Sequence, residues 1–204
     1  MNEPVLKDVP KQAAPEKFPA AAERLAPQRQ EAVGTSSRQK HGSNRWHNLI
    51  ATNAAVALGS RIQGNRAEIY VNGMCVQLRN DLVSYPSVVI VTGEPAFTDA
   101  NADVLRNPTI VFEVFSTGID TTEKARKLEA YLALESIKEC LQIKADEMRV
   151  EHFAKQNAKQ WIYKIYNERD DVISLDSIGI KISLAELYAQ VNLRQAEFSS
   201  KAVN

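Results

Sequence analysis

A single carboxylate in an otherwise apolar strand, followed by two lysines and a tyrosine at helical spacing, is where this sequence could do chemistry. The run 107–116 reads Asn-Pro-Thr-Ile-Val-Phe-Glu-Val-Phe-Ser, with Glu113 inside its apolar part. Strand alternation puts Val111, Glu113 and Phe115 on one face and Ile110, Phe112 and Val114 on the other. A buried charge is costly, so Glu113 must be neutralised, meet a cation or hold a metal. A companion run, 85–91, reads Tyr-Pro-Ser-Val-Val-Ile-Val and carries one polar side chain in its apolar part, Ser87. Downstream, Lys124, Lys127 and Tyr131 recur at i, i+3 and i+7, one stripe of a helix. That helix leaves the Glu113 strand directly, so its first turns stand near the strand's C-terminal end.

The elements that must position these groups are legible from periodicity and punctuation. The two apolar runs are short, rich in β-branched residues and bounded by Pro, Gly and Asn, as central strands are. A helix is expected over 45–59, capped by Ser43 or Asn44, with Trp46, Leu49, Ile50, Asn53, Ala54, Ala57 and Leu58 at helical spacing. Strands are expected at 67–71 and 74–79, joined by an Asn72-Gly73 hairpin turn. A turn at 80–84 and a polar loop at 93–107 flank the Ser87 strand. The helix over 121–134 opens with Asp120 and Glu123 in capping-box spacing and shows Ala125, Leu128 and Leu132 as a buried stripe. Further strands are expected at 139–144, 149–153, 160–166, 172–175 and 178–182. Ser183 and Glu186 form a second capping box, opening a last helix through Val191. The order gives one α/β (α+β) domain: a mixed central sheet flanked by helices, with a late β-hairpin.

Composition bounds the rest. Of 204 residues, 44% are hydrophobic, and Lys+Arg and Asp+Glu number 25 each, so no global basic field advertises nucleic acid. Residues 1–43 hold five of the eight prolines and read as a disordered Pro/Ala/Gln-rich tail; 44–192 is the folded domain and 193–204 a frayed end. Cys75 and Cys140 read as buried free thiols of a reduced compartment. His41, His47 and His152 have no metal-ligand spacing with either cysteine, and His47 reads as a packed or surface histidine. No apolar stretch is long enough to cross a bilayer, and the N-terminus has no signal-peptide core, so a cytoplasmic protein with no membrane partner is expected.

At this point the residues resemble a known family. Tyr85 to Val91 is similar to the Tyr-Pro-Asp-Val-Val-Val-Val strand of the Uma2 family, a restriction-endonuclease-like branch of the PD-(D/E)XK nuclease superfamily. Asn107-Pro108 with Glu113-Val114-Phe115-Ser116 resembles its Asn-Pro…Glu-Val-Leu-Ser strand, and Lys127-Leu128-Glu129-Ala130-Tyr131 its Lys-Phe-x-x-Tyr helix. Ser136-Ile137-Lys138-Glu139 and Leu184-Ala185-Glu186-Leu187-Tyr188 complete a match in order from His47 to Val191.

The resemblance implies a restriction-endonuclease-like core and a DNA endonuclease dependent on Mg²⁺ or Mn²⁺. Such a site takes an Asp from one strand and a Glu from the next as metal ligands, with a Lys nearby. Glu113 matches the metal-binding Glu. Ser87 stands where the family has its Asp, and a neutral hydroxyl is a poor Mg²⁺ ligand. Phe115 stands where the superfamily has its Lys, so Lys127 is the expected substitute, with Lys124 one turn earlier. Glu123 aligns with an Asp of the family, and Glu123, Lys124, Tyr131 and Glu68 are candidate supporting groups; Asp81 and Asp120 are further carboxylates. The expected activity is that of a degenerate nuclease, the alternative an inactive nuclease-fold protein that binds DNA or protein. A third reading makes Glu113 a structural buried acid, hydrogen-bonded to backbone or to Tyr131. A homodimer is also expected as an option, with the 149–166 hairpin offering an edge for pairing.

Overall fold

Two runs of β-branched residues lie side by side at the centre of the molecule because neither can leave its side chains in water. In the computed structural model, which describes residues 44–62, 67–79, 82–98, 103–115 and 120–193, these are β4 (Val88–Thr92) and β6 (Ile110–Phe115). Every residue of β6 and all of β4 but its last are buried. They belong to a six-stranded mixed sheet in the order β1 (Ala67–Val71), β4, β6, β7 (Glu139–Lys144), β8 (Val150–Asn157), β9 (Gln160–Tyr166). The pair β6–β7 is parallel and the others antiparallel. The expected tail at 1–43, the end at 194–204 and Asp81 lie outside the described residues.

Each sheet face has its own core. On one side pack α1 (Arg45–Gly59), the hairpin β10 (Val172–Leu175) and β11 (Ile180–Ser183), and α3 (Leu184–Leu187). Asn44 caps α1 by accepting from the His47 N–H at 2.9 Å. Its inner face carries Ile50, Ala51, Ala54 and Leu58, all essentially fully buried against Val88, Ile90, Ile110 and Phe112. Burying a side chain such as Ile50 or Leu58 contributes about 1.5–3 kcal/mol. On the other side lie α2 (Thr121–Leu132) and a small sheet, β3 (Leu82–Ser84), β2 (Cys75–Arg79) and β5 (Val104–Leu105), over Val89, Val91, Val111 and Cys140. The alternation expected of β6 holds: Ile110, Phe112 and Val114 face α1, Val111 the opposite core.

Several expectations need correction. Asn72-Gly73 does not close a β1–β2 hairpin. Asn72 adopts φ 53° and carries the chain out of one sheet into the other, because β1 pairs with β4 and β2 with β3 and β5. The expected turn at 80–84 contains strand β3, and the loop at 93–107 contains β5; both are too short to show a period. Asp120 caps α2 on the Thr122 N–H, and Glu123 is exposed, so the capping-box bond expected there is not the one that closes the helix. In α2 the buried residues are Lys127 and Tyr131, while Ala125 is exposed and Leu128 and Leu132 are half-buried. The helix rests on the sheet by its polar stripe. At the other end of the chain, the Ser183–Glu186 capping box is present on both sides, although α3 stops at Leu187.

Candidate active site

Glu113 is 4% exposed and projects from β6 toward α2. Lys127 Nζ lies 3.0 Å from its Oε1, and the Tyr131 hydroxyl lies 2.5 Å from the same oxygen. One turn of helix separates Lys127 from Tyr131, so α2 delivers ammonium and phenol together. Tyr131 OH is also 2.8 Å from Ser84 Oγ of β3. A phenol has one proton and an ionised carboxylate accepts only. Tyr131 therefore donates to Glu113, and Ser84 donates to Tyr131. Burial first, then the charge and hydrogen bond of Glu113, push the Tyr131 hydroxyl well above its ordinary value of about 10. Burial, with the Glu113 charge second, raises the thiol of neighbouring Cys140 as well. Both groups stay protonated, which suits a hydrogen-bond donor chain and excludes a thiolate.

The same face of the sheet carries a polar row. Register places Glu113 beside Gln142 of β7, Gln142 beside Glu151 of β8, and Glu151 beside Ile165 of β9. Lys124 Nζ, 5.5 Å over the Phe115 ring, meets Glu151 Oε2 at 3.1 Å, and Arg149 Nε meets Glu151 Oε1 at 3.1 Å. Burial raises the Glu151 carboxyl, but bonds from Lys124 and Arg149 overcome it and hold the group below its ordinary value. The two lysines of α2 thus answer two carboxylates of the sheet. At about 4.8 Å per strand the backbones of Glu113 and Glu151 stand about 10 Å apart, and each carboxylate meets its own lysine.

Ser87 precedes β4. The β4–β6 ladder runs Ile90↔Ile110 to Val88↔Phe112, so one step further sets Ser87 opposite Glu113. Its hydroxyl is committed elsewhere. The Val114 N–H, left over where the ladder ends, donates to Ser87 Oγ at 3.1 Å. With that acceptor role filled, the Ser87 O–H is available to donate to His47 Nε2, 2.9 Å away on α1. His47, read from the sequence as a bystander, is 8% exposed and a direct partner of the residue at the motif position. The missed signal was its place at the start of the α1 stripe, two residues ahead of Leu49.

The supporting candidates divide. Lys124 and Tyr131 belong to the network described. Glu123 lies exposed on α2. Glu68 hydrogen-bonds Tyr70 on the outer strand β1 and pairs in register with Val91. That level is four residues along β6 from Glu113 and two strands away, about 13 Å by about 10 Å, so Glu68 is not part of the site.

The donor set does not fit a Mg²⁺ centre of two strand carboxylates. Among the described residues no three His, Cys, Asp or Glu side chains gather as a metal site. Glu113 is the one carboxylate at the motif, with an ammonium and a phenol on its Oε1. Mg²⁺ takes carboxylate oxygens at about 2.0–2.1 Å and would compete with both for that atom.

Comparison with known proteins agrees with this frame. Residues 16–186 match the family model Uma2, whose description is "Putative restriction endonuclease". An uncharacterized protein of Synechocystis, sll1609, is 30% identical over 122 residues, 59% of this chain and 69% of the relative. The crystal structure of a "putative nuclease belonging to DUF820" from Anabaena variabilis superposes with a TM-score of 0.66 at 16% identity, over 80% of this chain and 91% of that one. At that identity the likeness speaks for the fold.

Proposed function

The chain belongs to the Uma2 family of restriction-endonuclease-like proteins, and from that premise we propose that it is a DNA-directed nuclease-fold protein whose Mg²⁺- or Mn²⁺-dependent cleavage is degenerate. The observation that carries this reading is the commitment of Ser87. A family Asp at this position would bring a second anion beside Glu113; here the hydroxyl binds the Val114 amide and His47. Lys127 and Tyr131 then supply the partners that a buried carboxylate needs. What remains is a site with its strands, helix and lysine in place and one metal ligand too few. A cytoplasmic location is part of the same proposal; among the described residues no helix is long and apolar enough to cross a membrane.

The test is nicking of supercoiled plasmid, and degradation of single-stranded DNA, with Mg²⁺ or Mn²⁺. Wild type is expected to cleave weakly or not at all. Ser87→Asp is expected to gain metal-dependent nicking, and Ser87→Asp with Glu113→Gln to lose it again. Robust wild-type cleavage that Glu113→Gln abolishes would replace this reading with that of an active endonuclease. Calorimetric titration with Mn²⁺ separates a folding defect from a missing ligand, because Ser87→Asp should bind ion where wild type does not.

A further inference from the structure

The last strand of the large sheet is unusually apolar for an edge. Strand β9, Gln160-Trp161-Ile162-Tyr163-Lys164-Ile165-Tyr166, pairs on one side with β8 and, among the described residues, has no strand on the other. Ile162 is 37% exposed, Tyr163 49% and Ile165 44%. These side chains are not on one face. Register with Lys155, Phe153 and Glu151 puts Trp161, Tyr163 and Ile165 on the α2 side, and register with Ala154 and His152 puts Ile162 and Lys164 on the α1 side. A ligand lying flat on the sheet would cover one set and leave the other. A strand added to the edge covers both and also meets the free backbone groups.

We propose that β9 pairs antiparallel with β9 of a second copy of this chain, about a twofold axis at Tyr163. The sequence is self-complementary in that register. Trp161 meets Ile165 of the other copy, Tyr163 meets Tyr163, and Gln160 meets Tyr166. Aromatic and β-branched cross-strand pairs each contribute about 0.2–1 kcal/mol. The single charge of the strand, Lys164, falls opposite Ile162 and not opposite itself. Just past the ends, Lys159 comes near Asn167 and Glu168 of the partner copy, a favourable charge match. Phe153 already stacks on Tyr163 at 4.9 Å, which holds that ring upright at the axis. Of the nearby cations, Lys155 lies over the Trp161 ring and bonds the Glu135 carbonyl and Lys124 is taken by Glu151, which leaves the exposed Lys159 and Lys164, too few for a basic nucleic-acid face. The opposite edge, β1, is two residues shorter and carries exposed Glu68. The pairing joins two six-stranded sheets into one.

This inference is independent of whether the site cleaves DNA. In the proposed register position 163 faces its own copy, so Tyr163→Cys should form an intermolecular disulfide under mild oxidation. Ile162→Cys or Lys164→Cys alone should not, whereas a mixture of the two should. The native thiols Cys75 and Cys140 are buried and give little background. Sedimentation should show wild type as a dimer at micromolar concentration and Tyr163→Lys with Ile165→Lys as a folded monomer with unchanged circular dichroism. A monomeric wild type, a dimer that survives the double lysine substitution, or equal cross-linking from positions 162 and 163 would overturn the proposal.

Discussion

Lys127 Nζ stands 3.0 Å from Glu113 Oε1, with the lysine side chain 10% and the glutamate side chain 5% exposed. The two charges are buried together, and each is the other's compensation. Removing Lys127 takes the counter-charge from a buried carboxylate and leaves it the neutral Tyr131 hydroxyl as a donor. Lys127→Met is expected to cost about 3–5 kcal/mol, the usual penalty for an orphaned buried charge. Adding Glu113→Gln to it should recover a substantial part of that loss. Urea unfolding of the two single variants and the double variant measures the coupling; fully additive losses would show that the pair is not coupled.

Tyr131→Phe tests the donor chain from Ser84 through the phenol to Glu113. The ring still fills its place against Val111 and Cys140, so the loss is confined to hydrogen bonds. A destabilisation of about 1–3 kcal/mol is expected, the range for leaving a buried acceptor short of its donor. Ser84→Ala should cost less, because it leaves the Tyr131–Glu113 bond in place. Thermal melts of the two variants rank them.

Ser87→Asp carries a second readout besides cleavage. The new carboxylate would face His47 Nε2 in place of the hydroxyl now 2.9 Å away. An adjacent anion favours imidazolium, so the His47 titration followed by NMR should move to higher pH in the variant. A His47 signal that does not move would show that the introduced carboxylate points elsewhere.

The pH profile should fail at both ends for named reasons. Burial first, and then Glu113, raise the Tyr131 hydroxyl above about 10, and burial raises that of Tyr188. A group whose pKa is higher in the folded state stabilises it fully below the unfolded value. That contribution is lost as pH climbs from about 10 through the folded value. At the acid end, Glu151 and Glu186 titrate below their ordinary 4.5. Their contribution is present above 4.5 and lost as pH falls through the lowered values. Denaturant midpoints against pH, with tyrosinate absorbance followed on the alkaline side, check both limbs; Tyr131 and Tyr188 should ionise only with unfolding.

Much of this was legible in the sequence. The β-branched run around Glu113 announced a buried strand and its alternation; the family resemblance pointed to Lys127, and the reading of Glu113 as a structural acid offered Tyr131, the two groups that meet the carboxylate. The facing of α2 was not legible. Ala125, Leu128 and Leu132 looked like the inner stripe, yet Lys124 and Lys127 turn inward because Glu151 and Glu113 wait on the sheet. Local propensity cannot see partners on other strands. Asn72-Gly73 misled for a related reason: a turn signal states that the chain bends, not which strand it joins afterward. The bond from Ser87 to His47 spans 40 residues and has no local signature. The Glu139 network is similar. His152 Nε2 at 2.7 Å and Ser177 at 2.6 Å converge on Glu139 and tie the β10–β11 turn to the sheet, though nothing in the sequence near any one of them points to the others.

Asn53 on α1 donates to the carbonyls of Leu187 at 3.0 Å and Ala189 at 2.8 Å, and Arg61 just past α1 meets Glu186 at 2.5 Å. The Asn53–Leu187 bond joins residues 134 positions apart. In chain order α1 is the first of the described elements and α3 the last. The apolar side of α1 can pack on β4 and β6 as soon as they are made, but its polar seam with α3 can form only when nearly all of the domain is present. Closure of this seam is thus a late event in the life of the nascent chain, because it joins the two ends of the described domain.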